Sequence, residues 1–180
     1  YRGTVAAEIY TQLNQPDYSA EIAQIQALKP DAIFAFFPGG MGVNFVKQMN
    51  QAGLLHSMPV LTVSTVDGTT LPALKDAALG VFAGSQWGPD TAGAANAAFV
   101  KAFEAKYKRI PSEYAAAGYD SALALNSALA KVKGPAVDRG ELAAALRTTE
   151  FPGTRPGFKF NRNGFPIEDM HVFVVAKDAQ

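Results

Sequence analysis

The chain contains no cysteine. That excludes disulfides, thiolate nucleophiles and cysteine-based zinc clusters together, and leaves the compartment open. Histidine is scarce: His56 and His171 each stand without a carboxylate or nucleophile at a spacing that makes a triad. Neither sign of charge is in excess, since 16 basic and 16 acidic residues cancel. With no basic stripe either, nucleic-acid binding is not expected. No apolar run is long enough to span a bilayer. The glycine-rich stretch at 39–42 has neither the Walker pattern nor the dinucleotide fingerprint, so no cofactor is expected. Glu168, Asp169 and His171 form the one local group of metal-capable residues, and they read as ordinary surface residues, so no metal is expected. No catalytic role is therefore expected.

What is present is a globular balance. The chain has 180 residues, of which 48% are hydrophobic and 18% charged, enough for a real core. It opens on Tyr1-Arg2-Gly3 and runs straight into an apolar stretch, which reads as a piece cut within a domain. The lack of a visible leader therefore carries no information.

Thr4 to Tyr10 alternates as a strand does. Pro16-Asp17 breaks the chain, and Asp17 or Ser19 is suited to cap a helix carrying Ile22, Ile25 and Leu28. Ala32 to Phe37 is a continuous apolar run, expected as a strand buried on both faces. Pro38 to Gly42 is a tight turn into a helix with Phe45, Val46 and Met49 on one face. Pro59 to Val63 and Gly80 to Ser85 read as two further strands. Strand alternating with helix is the grammar of a parallel α/β sheet.

After Trp87 the grammar changes. Helices are expected from about 91 to 108, with Ala95, Ala98, Phe99, Ala102 and Phe103 inward. A second runs from about 112 to 132, with Tyr119, Ala122, Leu123 and Leu129 inward and Gly134-Pro135 as its stop. A third starts at Asp138, whose spacing to Glu141 is that of a capping box. No strands separate these alanine-rich helices, so their sheet is expected elsewhere. Phe158 to Phe160 alternates, Asn163-Gly164 is a turn signal, and Val172 to Ala176 reads as a buried strand.

Ligands of open α/β sheets bind at the carboxyl ends of the strands. Three consecutive strand ends carry suitable residues: Phe37-Pro38, Ser64-Thr65 and Gln86-Trp87. The turn Gly39-Gly40-Met41 offers bare backbone N–H groups at a helix start, suited to a carboxylate, although such a turn also needs glycine for its own geometry. Trp87 is suited to wall a pocket or stack a ring, and equally to pack in a core.

These residues, in their order, resemble the type I periplasmic solute-binding proteins of ABC importers. The resemblance is carried by Ala32 to Gly42 (AIFAFFPGGMG) and Val46 to Leu54 (VKQMNQAGL), then by Asp76 to Phe82 (DAALGVF), Phe99 to Phe103 (FVKAF), Gly118 to Ala122 (GYDSA) and Phe158 to Asn161 (FKFN). The closest group is the leucine/isoleucine/valine-binding one, in its aromatic-acid-like subgroup. The resemblance implies a Rossmann-like three-layer α/β/α fold with two lobes and a hinge. Residues 1–87 would be second lobe, 88–150 helices of the first lobe, and 151–180 a return to the hinge and second lobe, with the first lobe's sheet missing.

It also implies periplasmic or other extracytoplasmic location, membrane permease subunits as partners, and a monomeric full-length protein. Ligand contacts are carried over to Phe37, Pro38, Gly39, Gly40, Met41, Ser64, Thr65, Asp67, Gln86 and Trp87. Amino-acid binders of the family place an acidic residue near the third strand end, facing the ligand ammonium. Here Ser64 and Thr65 stand there, and Asp67 comes two or three residues late. A carboxylate without an ammonium, such as an aromatic acid, fits that departure. The alternatives are a branched-chain amino acid, or a ligand-sensing domain of a receptor or transcriptional regulator.

Overall fold

The computed structural model describes residues 2–132 and 138–177; the helix stop expected at Gly134-Pro135 lies outside them. In chain order the elements are α1 (Ser19–Leu28), β1 (Ile33–Ala35), α2 (Gly40–Gln51), β2 (Val60–Val63), α3 (Leu71–Leu74), β3 (Phe82–Ser85), α4 (Ala94–Tyr107), α5 (Glu113–Leu129), α6 (Arg139–Arg147), β4 (Lys159–Phe160), β5 (Pro166–Ile167) and β6 (His171–Val174). They form two compact units. One is Tyr1–Ser85 with Val172–Gln180, the other Gln86–His171. The sequence placed the break after residue 87 and returned everything beyond 150 to the first unit. Residues 151–171 instead stay with the helices, for a reason given below.

The first unit is built on a sheet of order β1-β2-β3-β6. β1 pairs parallel with β2, and β2 parallel with β3. Ala35, Val60, Thr62 and Ala83 are buried on one face of this sheet, and Ile22, Ile25, Phe45, Val46 and Met49 from α1 and α2 are buried with them. Each such large apolar side chain contributes roughly 1.5–3 kcal/mol by leaving water. The other face is open. Phe34, Leu61 and Phe82 lie in register across three strands, and Phe34 is 71% exposed. The apolar run at 32–37 is therefore buried on one face only. β6 is open in the same way, with Val172 and Val174 exposed.

Two expectations are not met. Thr4 to Tyr10 forms no strand, because no neighbouring strand pairs with it among the described residues. Val5 and Tyr10 are exposed, and only Ile9 packs against the core. At α1, Tyr18 occupies the capping position with no side-chain cap, while Asp17 accepts from the Ser19 N–H one residue earlier.

The second unit is held by polar groups as much as by apolar ones. Ser112 caps α5 by accepting from the Ala115 N–H, and Asp138 caps α6 by accepting from the Glu141 N–H. Along α5 the buried residues are Ala116, Asp120, Ala124 and Ala128. Tyr119, Ala122 and Leu129, expected inward, are exposed, and Leu123 is half-buried. On α4, Phe99 is buried and Phe103 half-buried as expected, while Ala98 and Ala102 are exposed. The narrow buried stripe of α5 runs every fourth residue and is nearly all alanine, with Ala116 packed in a cluster with Trp87 and Phe99.

Asp120 is the exception in that stripe, and it explains the unit boundary. Its carboxylate, 1% exposed, accepts from the Thr154 N–H at 2.7 Å, the Thr154 hydroxyl at 3.0 Å and Arg155 Nε at 3.0 Å. Arg155 Nη1 also donates to Glu168 Oε2 at 2.6 Å, and the guanidinium lies over the Phe158 ring. Residues 151–168, including the β4–β5 hairpin closed at Gly164, are thereby pinned to α5.

Tyr18 generates a first prediction. It is fully buried against Phe37 and Phe45, and its hydroxyl has no hydrogen-bond partner among the described residues. Burial, and then the Glu21 carboxylate, push its phenol above the ordinary value of 10.0. The folded chain thus holds this proton more tightly than the unfolded chain, and stability is lost as pH rises past about 10. Tyr18→Phe should melt no lower than the parent near neutrality and should lose less between about pH 8 and about pH 11. Melting curves at the two pH values check both statements. A second prediction concerns Asp120. Asp120→Ala leaves Arg155 and Thr154 without their buried acceptor and should cost about 3–5 kcal/mol, read by denaturant titration of the helical unit.

Candidate ligand site at the strand ends

α2 begins where β1 ends, so its first turn stands over the carboxyl edge of the sheet. Gly39 takes φ +64, a left-handed conformation that glycine adopts without strain. No side chain caps α2. The first intrahelical bond runs from the Val43 N–H to the Gly39 carbonyl, so the amides of Gly40, Met41 and Gly42 form the positive end of the helix. Gly39 and Gly40 are exposed, and Pro38 and Met41 are half-buried. Met41 accepts through its sulfur from the Asn14 N–H at 3.1 Å. Phe37, half-buried, lies 4.7 Å from the Phe45 ring and 5.1 Å from Tyr18, centroid to centroid. Its ring is backed by a rigid aromatic floor.

The end of β2 supplies the neighbouring loop. Ser64 sits in the left-handed region at φ +50, a conformation that costs a non-glycine residue about 1 kcal/mol or more. Thr65 is fully buried. Its hydroxyl accepts from the Phe37 N–H at 2.9 Å and donates to the Val63 carbonyl at 3.1 Å. Asp67 Oδ1 accepts from the Thr69 N–H, the Thr69 hydroxyl and the Thr70 N–H. Its acidic group closes a turn.

Eight of the ten sequence candidates thus gather at the ends of β1 and β2. The other two belong to the second unit. Gln86 lines a cavity of about 180 Å³ there with Thr91, Arg155, Glu168, Asp169 and His171. Trp87 is 4% exposed and packs edge-on against Phe99. Its indole N–H donates to Asn96 Oδ1 at 2.8 Å, and Asn96 in turn donates to the Pro89 and Thr91 carbonyls. Of the two roles open to the indole, the structure shows it in the core. Among the described residues no cluster of histidine and acidic side chains is arranged to hold a metal.

The family model for periplasmic binding proteins matches residues 1–180. The chain belongs to the periplasmic binding protein family. Solved structures agree. The benzoate complex of an ABC transporter solute-binding protein from R. palustris is 31% identical, with a TM-score of 0.84 over 90% of this chain and 44% of that one. A solute-binding protein from Rhodopseudomonas palustris BisB5, in complex with 3,4-dihydroxybenzoic acid, is 28% identical, with a TM-score of 0.81 over 90% and 45%. A leucine-binding protein from Thermotoga maritima shares the fold at 22% identity, with a TM-score of 0.80 over 93% and 47%. These relatives are solute-binding proteins of transport systems, not enzymes. The chain spans less than half their length. No curated protein sequence matches it.

In this periplasmic binding protein two site residues escaped the sequence reading, Gly42 and Thr70. A Cβ on Gly42 would stand 2.3 Å from the Phe37 carbonyl oxygen and 2.8 Å from that of Thr65. Its signal was present, as the third glycine of the turn. Thr70 accepts from the Asp67 N–H and donates to the Thr65 carbonyl. Its signal was the three-residue spacing from Asp67. The third prediction follows. Gly42→Ala forces α2 away from the strand ends and should cost on the order of 1–3 kcal/mol or more. Gly40→Ala, which would meet nothing within 4 Å, should melt within about 1 kcal/mol of the parent. Thermal melts of the pair measure the contrast.

Proposed function

We propose that this chain is the ligand-capturing part of an extracytoplasmic solute-binding protein of an ABC importer, and that its solute is a small aromatic carboxylate of the benzoate or cinnamate type. The observation that carries the reading is the charge at the strand ends. Ser64 and Thr65 are neutral, and Asp67, the nearest acid, spends Oδ1 on its own turn. An amino-acid ligand brings an ammonium that is costly to bury without an anionic partner. A carboxylate with an apolar body makes no such demand.

The groups on hand suit that body. Phe37 and Met41 offer apolar and sulfur surface, Pro38 a rigid wall, and the amides of Gly39 and Gly40 offer donors. Trp87 contributes through packing, since its ring and N–H are engaged in the core. The benzoate-bound relative at 31% identity supports the aromatic reading over a branched-chain amino acid. Periplasmic location, membrane permease subunits as partners and a monomeric protein accompany the family reading. No described helix is long and apolar enough to cross a membrane.

A ligand that binds only the native state raises its melting temperature. The fourth prediction is a shift of several degrees with benzoate, 4-hydroxybenzoate or cinnamate at saturating concentration, and none with leucine or valine, in a thermal-shift screen of the polypeptide as its gene encodes it. A shift with leucine or valine alone would replace the aromatic reading with the amino-acid one.

A further inference from the structure

We infer that Thr65 and Thr70 are positioning residues that set the spacing of the two loops at the strand ends without touching the solute. The inference deepens the proposed ligand site and rests on that reading for its effect on affinity, but its geometry stands independently. Thr65 was carried over as a ligand contact. In the structure both threonines are almost wholly buried, at 0% and 2% exposed, and their hydroxyls are consumed by backbone.

The two side chains form a relay. The Phe37 N–H, just past β1, donates to the Thr65 hydroxyl, which donates to the Val63 carbonyl at the end of β2. The Thr65 carbonyl accepts from the Thr70 hydroxyl at 3.1 Å, which accepts from the Asp67 N–H at 3.0 Å. Thr65, bonded through its hydroxyl on one side and its carbonyl on the other, thus ties the loop at Phe37 to the turn at Asp67. Both loops lack regular secondary structure, so their backbone groups have no ladder to hold them. Gly42 closes the same assembly from the helix side, packed against the Phe37 and Thr65 carbonyls and the Thr65 methyl. Threonine suits the post because its hydroxyl both accepts and donates while its methyl fills space. Valine keeps the shape and loses both bonds, leaving the Phe37 N–H unpaired. Serine keeps both bonds and loses the methyl.

The experiment compares Thr65→Val, Thr65→Ser and Thr70→Val in the polypeptide as its gene encodes it. Two readouts are taken: affinity by calorimetry for the solute that the parent binds best among benzoate, 4-hydroxybenzoate and leucine, and backbone amide exchange residue by residue. Thr65→Val should remain folded, weaken affinity about tenfold, and speed exchange at Phe37 and Gly39 about tenfold. Thr70→Val should speed exchange at Asp67 in the same way, and Thr65→Ser should stay within about threefold of the parent in both readouts. A residue that only stabilised the fold would lower the melting temperature and leave affinity at 25 °C unchanged. If Thr65→Val binds and exchanges as the parent does, the positioning role is overturned. If the parent prefers leucine, the aromatic reading fails while the threonine comparison proceeds with leucine. If no solute binds, exchange at Phe37 and Asp67 alone decides it.

Discussion

The first turn of α2 can stand over the sheet only because residue 42 has no side chain. The space a Cβ would need is already filled by the Phe37 and Thr65 carbonyl oxygens. From that contact the rest of the candidate edge follows. The helix starts immediately after β1, its free amides come to the strand ends, and the Phe37 ring is pressed onto Tyr18 and Phe45. Thr65 then locks the second loop to the first. Geometry of this kind is paid for in tolerance: a single methyl group at one position disturbs every element that meets there.

The second unit rests on a different principle. Its helices bury alanine and one aspartate, so apolar area alone is a modest source of stability. The Asp120–Arg155–Glu168 chain compensates by linking an interior helix to a segment with little regular structure. Asn96 does similar work near Trp87, where one side chain satisfies an indole and two carbonyls. Buried polar groups of this sort add little net energy when complete and cost heavily when broken. They fix one arrangement of loops that apolar contacts would leave free.

Much of this was legible in the sequence where local rules decide. Strand–helix alternation through residue 85, the Asp138 cap, the Asn163-Gly164 turn and the glycine turn over the sheet all follow from short-range chemistry. The misreadings share a cause, which is dependence on distant partners. Thr4 to Tyr10 has the alternation of a strand, but alternation does not supply a neighbour. Phe34 and Phe36 made β1 look buried on both faces, and hydrophobicity alone does not say which faces are covered. Tyr119 and Leu129 looked like core because they are large, whereas the residues that α5 buries are Ala116, Asp120, Ala124 and Ala128. At the site, the sequence singles out Thr65 and Asp67 by their place after the second strand, and the structure puts both in the loop that follows β2. Whether their oxygens face a solute or the backbone depends on bonds across 28 residues and a turn, which no pattern in the chain displays.

The first unit is discontinuous along the chain, since Val172 to Val174 complete a sheet begun at Ile33. That ordering has a consequence during synthesis. The helical unit is translated whole before β6 exists, so it is able to settle as soon as it leaves the ribosome. The sheet, by contrast, waits through some eighty intervening residues with the edge of β3 unpaired, and closes only when β6 emerges. Long-range closure of this kind is slow, and an unpaired strand edge is a template for pairing with the wrong chain. Through that interval the unit that carries the glycine turn at 39–42 is the less finished of the two.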